Sequence, residues 1–156
     1  MKRFRNSDSP PRSGFIGIAR MGATLALALL AVNVAEAGAA AADADAVRLG
    51  ELINAYRAQH RLPPLALVAP LSELAREQAK RMASETRLSH EGFEGRFARA
   101  RSPVCVENVG SHDGSPKAEF EGWRDSPTHA HNLLDERITR MGIAIEGRYA
   151  AFFACR

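Results

Sequence analysis

Apolar and polar positions alternate along this chain with two distinct periods, helical in its first half and strand-like near its end. From Val47 to His60 the apolar residues Leu49, Leu52, Ile53 and Tyr56 recur every three or four positions, which predicts an amphipathic helix. Leu62-Pro63-Pro64-Leu65 ends it, because proline cannot continue a helix and pushes its predecessor toward extended geometry. A second helix is predicted from Pro70 to Thr86, with Leu71, Leu74, Ala75, Gln78, Ala79 and Met82 as its inner stripe. A short helix fits Phe93 to Ala100, and Val104 to Val109 alternates around Cys105 as a strand.

Turn residues fill Ser111-His112-Asp113-Gly114-Ser115-Pro116. The next helix runs to about Asp125, with Ser115 as N-cap, Pro116 at its first position, and Phe120 and Trp123 buried. Ser126 and Pro127 repeat that start signal and place His129 in the first turn of a further helix. The macrodipole there disfavours an imidazolium, so His129 is expected to stay neutral. Gly142 to Glu146 and Tyr149 to Cys155 read as two strands around the turn Glu146-Gly147-Arg148. Helices early and antiparallel strands late predict an α+β fold, with helices packed on a small antiparallel sheet.

The residues before Val47 do not belong to that pattern. Lys2, Arg3, Arg5, Arg12 and Arg20 precede the apolar run Met21 to Val34, and Ala35-Glu36-Ala37 supplies a small-x-small cleavage pattern. This is the layout of a secretory signal peptide over residues 1–37, followed by a linker at 38–46 (GAAAADADA) and a single domain over 47–156. The apolar run has about 14 residues against the roughly 20 of a spanning helix, so no stable membrane span is expected after cleavage. An uncleaved anchor is the alternative.

Charge follows the same division. Of 21 basic and 18 acidic side chains, the leader holds five and two, which leaves 16 of each in the residues after 37 and puts the whole excess of +3 in the leader. The basic balance is therefore no argument for a nucleic-acid partner, and that class is excluded. Periplasmic or extracellular residence also gives Cys105 and Cys155 an oxidising compartment, where an even pair reads as one disulfide. Two buried free thiols are the alternative.

Three polar residues stand in otherwise packable surroundings. His90 follows the second helix, Glu107 sits between Val106 and Val109 on a strand, and His129 opens a helix. An unpaired charge at Glu107 costs several kcal/mol, so it needs a partner there. Two imidazoles and a carboxylate converging on one cavity could hold a divalent cation or move protons. Taken singly, each has a plainer reading as a capped or backbone-bonded side chain. His131 lies about 200° around the helix from His129 and would not share its site. His60 and His112 read as surface residues.

From about Val47 to Phe153 the chain resembles the CAP superfamily (cysteine-rich secretory, antigen 5 and pathogenesis-related 1 proteins) in its short bacterial form. The resemblance rests on Asn54 and Arg57 in the first helix, Pro64-Leu65, and Ala75, Ala79 and Met82 leading to His90. It continues through Glu107-Asn108-Val109, then Trp123, Ser126, Pro127, His129, Asn132, Leu133 and Leu134, and finally Thr139 with Met141-Gly142-Ile143-Ala144. It implies an α-β-α sandwich whose cleft is lined by two histidines and acidic residues, with divalent metal bound in some members. His90, Glu107 and His129 map onto three of those positions and are the candidate metal ligands, for zinc or another divalent ion. Asp125 is the nearest candidate for a second acid, and Thr128 stands where glycine is common. The cysteines lie outside the family's pattern, and pairing the Glu107 strand with the last strand would explain them.

These observations support an exported binding module for a small ligand, lipid or cell-wall fragment. A metal-assisted hydrolase using His90, Glu107 and His129, and a structural domain without cleft chemistry, are the alternatives.

Overall fold

The computed structural model describes residues 43–112 and 115–156. The predicted leader, the first part of the linker, and Asp113 and Gly114 lie outside these residues. Helix α1 spans 43–59, so the helical run starts at least four residues earlier than the apolar spacing predicts. Alanine has the highest helix propensity, Ala46 adds buried surface, and Asp43 pairs with Arg76 at 2.8 Å, which extends the helix into the stretch read as linker.

The remaining elements are β1 (Ala66–Leu67), α2 (Ala69–Glu85), α3 (Phe93–Ala100), β2 (Cys105–Ser111), α4 (Pro116–Asp125), α5 (Pro127–Leu133), β3 (Arg140–Glu146) and β4 (Tyr149–Cys155). The four strands form one sheet in the order β1-β3-β4-β2. β4 is antiparallel to both neighbours, pairing Glu107 with Phe153 on one side and Gly142 with Phe153 on the other. β1 corrects the expectation of a wholly antiparallel sheet, because it runs parallel to β3 with Ala66 opposite Arg140. The fold is α+β with a mixed sheet.

Alternation along β4 separates two cores. Ala150, Phe152 and Ala154 face Leu49 and Ile53 of α1, Phe120 and Trp123 of α4, and Leu133 of α5. Tyr149, Ala151, Phe153 and Cys155 face Leu71, Leu74, Ala75, Ala79 and Met82 of α2. Helices thus cover both faces of the sheet, an α-β-α sandwich. The predicted inner stripe of α2, including Gln78, is its buried set. Gly142 permits the closest approach: a Cβ there would lie 2.0 Å from the backbone carbon of Leu71, at the start of α2.

Motif residues that look chemical in sequence turn out to brace loops. Asn54 donates to the Leu65 carbonyl at 3.0 Å and accepts from the Leu65 amide at 2.8 Å. The buried Arg57 guanidinium donates to the carbonyls of Pro63, Leu133 and Asp135. Both hold the Pro63-Pro64 turn in place, and β1 follows directly from it.

Candidate functional site at the β2 edge

Glu107 lies on edge strand β2, on the face shared with Phe153 and therefore toward α2 and α3. Its side chain is only 1% exposed, and two residues satisfy it. Arg96 of α3 donates from Nε to Oε2 at 2.8 Å and from Nη2 to Oε1 at 2.9 Å. His90 places Nδ1 at 2.9 Å from Oε1. Because an ionised carboxylate only accepts, this contact makes Nδ1 the protonated nitrogen.

Two further bonds hold His90 in place. The Gln78 side-chain amide donates to the Ser89 carbonyl, and the Phe93 amide donates to the His90 carbonyl at 3.0 Å. The imidazole is 53% exposed at the mouth of a hollow of about 330 Å³. Phe93, Cys105, Val106, Glu107 and Asn132 line the rest of it. One wall is therefore apolar, and the other carries an imidazole and an amide.

His129 reaches the neighbourhood from the opposite face. Asn108, one position along β2 from Glu107, donates to the His129 carbonyl at 3.1 Å. Asn132 donates to Asn108 Oδ1 at 2.9 Å and to the Glu107 carbonyl at 3.2 Å. These amides fasten α5 to the strand edge. Burial lowers the pKa of His129, and the charge of His90 lowers it further. The neutral form expected from the helix start is favoured, with desolvation as its first cause. His129 does not line the hollow.

Asp125 does not join this group. It is exposed at the end of α4, where Arg124 grips it at 2.7 and 3.0 Å and holds its carboxyl below the usual range. His131, His60 and His112 are exposed, as expected.

A divalent ion does not fit the trio as it stands. Both oxygens of Glu107 receive Arg96 donors, so the carboxylate is already committed to a fixed cation. Among the described residues, no three His, Cys, Asp or Glu side chains are arranged to hold a metal ion. Arg96 is the residue the sequence reading missed. Its signal was a cation one helical turn from Phe93, on the apolar face of a short helix, opposite a strand carboxylate that required a partner. Cys105 and Cys155 face each other across β2 and β4 and form a disulfide.

Residues 51–155 match the CAP family, described as the cysteine-rich secretory protein family. No curated protein matches the chain. Among solved structures, an extracellular protein containing an SCP domain from Bacillus anthracis superposes with a TM-score of 0.69 at 24% identity, covering 73% of this chain and 41% of the other. A cysteine-rich secretory protein from Staphylococcus aureus gives 0.66 at 19%, covering 72% and 38%. An outer surface protein from Borrelia burgdorferi gives 0.64 at 17%, covering 72% of this chain and 92% of the other. The chain thus spans about two-fifths of the length of the first two.

Proposed function

The chain belongs to the cysteine-rich secretory protein (CAP) family, and from this we propose that it is an exported binding module whose cleft at His90 takes a small ligand such as a lipid or a cell-wall fragment. Export is supported by the extracellular and outer-surface neighbours and by the leader pattern at residues 1–37. Among the described residues, no helix is long and apolar enough to cross a membrane.

One observation carries the binding reading. His90 is oriented by a buried carboxylate yet half exposed at the mouth of the 330 Å³ hollow. Phe93 and Val106 offer apolar contact, while His90 and Asn132 offer hydrogen bonds that fix orientation, the usual division of labour in small-ligand sites.

The test is a titration followed by calorimetry or NMR, using soluble glycan–peptide wall fragments and, separately, phospholipid micelles. Binding by either that weakens about tenfold or more in His90→Ala supports the reading. Absence of binding by both sinks it.

The structural alternative is favoured by a different fact, that Glu107 is fully satisfied by Arg96 and His90. It predicts that His90→Ala lowers stability and alters no ligand titration.

A further inference from the structure

We propose that Arg96 is a built-in cation: it takes the coordination directions of Glu107 that a divalent ion would need, so the cleft works without metal and meets its ligand through the His90 imidazole. The second half of this statement rests on the binding reading above; the first half does not.

The argument starts from charge. A carboxylate that is 1% exposed requires a fixed positive partner, and the Arg96 guanidinium supplies one. Its planar fork matches the carboxylate, with Nε and Nη2 each directed at a different oxygen. The third nitrogen, Nη1, donates to the Glu91 carbonyl at 2.9 Å, so the side chain is held from both ends. Arg96 itself is 4% exposed. An ion entering beside Glu107 would therefore have to displace a buried guanidinium and leave it without its counter-charge.

The same pair sets what a ligand meets. With Nδ1 turned to Glu107, the other ring nitrogen, Nε2, lies across the ring from the carboxylate. The cleft then offers Nε2 of a half-exposed ring, and a polar ligand group that hydrogen-bonds to it is the matching chemistry. Arg96 acts here as a positioning residue, through Glu107, on His90.

The experiment is a Co²⁺ titration of the full chain at neutral pH, read by visible absorbance and calorimetry. Wild type is expected to show no saturable one-to-one uptake in the micromolar range. Arg96→Gln removes the charge and keeps a donor; it is expected to bind one Co²⁺ about tenfold or more tighter than wild type, and to lose that site when His90→Ala is added. Arg96→Lys keeps the charge and is expected to remain metal-free.

One equivalent of Co²⁺ on wild type, dependent on His90, overturns the proposal without any Arg96 variant, so a misfolded Arg96→Gln leaves it testable. A folded Arg96→Gln that gains nothing also overturns it, as does an Arg96→Lys that binds like Arg96→Gln. Failure of the wall-fragment and lipid titrations would remove the ligand reading and leave these metal results standing.

Discussion

Glu119 occupies the space that a side chain on Gly110 would fill: its Oε1 lies 1.6 Å from where a Gly110 Cβ would stand, and Trp123 Nε1 lies 2.9 Å from the same point. All three residues are buried at the contact of α4 with β2. The single hydrogen atom at Gly110 is what lets the α4 carboxyl enter. Gly110→Ala must expel Glu119 or push α4 from the sheet, and is expected to destabilise by about 1–3 kcal/mol. Urea unfolding checks this; an unchanged midpoint would contradict the packing described.

Glu119 is also a buried acid whose Oε1 has no hydrogen-bond partner among the described residues, and burial pushes its pKa up to about 7. The folded state therefore holds a proton that the unfolded chain releases near the ordinary glutamate value. The contribution of Glu119 to stability should be greatest below about pH 4.5, fall as pH rises, and level off above about pH 7, with roughly 2–3 kcal/mol lost in total. Glu119→Gln should remove that slope. The measurement is the wild-type minus variant difference in unfolding free energy at pH 5, 6 and 8, and a difference independent of pH would refute the buried-acid assignment.

The Cys105–Cys155 bridge closes a loop with a sequence separation of 50. Its removal by Cys105→Ala with Cys155→Ala is expected to cost about 3–4 kcal/mol in the chain-entropy view. Thermal unfolding measures the loss. Intact mass should shift on alkylation only after reduction.

Arg57 carries three backbone carbonyls on one buried guanidinium, and desolvation lowers its pKa, with Asp135 opposing that shift. Arg57→Ala leaves buried carbonyls unpaired and is expected to cost about 3 kcal/mol or more. Arg57→Lys loses the planar fork and should recover less than half of it. Full recovery in the lysine variant would show that charge, not geometry, holds the Pro63 turn.

Much of this architecture was legible because periodicity reports burial. The stripe of α2, the bounds of α3 and α4, and the start of α5 followed from apolar spacing and from Ser-Pro start signals. The strand β1 was not legible: two residues show no alternation, and their pairing with β3 depends on a contact over 70 residues away in sequence. The cleft was legible by half. His90 and Glu107 were found as polar residues in packable surroundings, but what satisfies Glu107 is a cation on a separate helix, and spacing along the chain carries no record of that contact. Asp125 was misplaced for a related reason. Its neighbour Arg124 claims it locally, an option that a motif-based alignment does not weigh.

The sheet order has a temporal consequence. β4 emerges after the other three strands and pairs with both β2 and β3, which share no ladder with each other. Until the last strand is made, the edges of β2 and β3 that it will cover stay unpaired and Cys105 lacks its disulfide partner. A truncation that removes β4 should therefore leave an unfolded chain rather than a smaller working module.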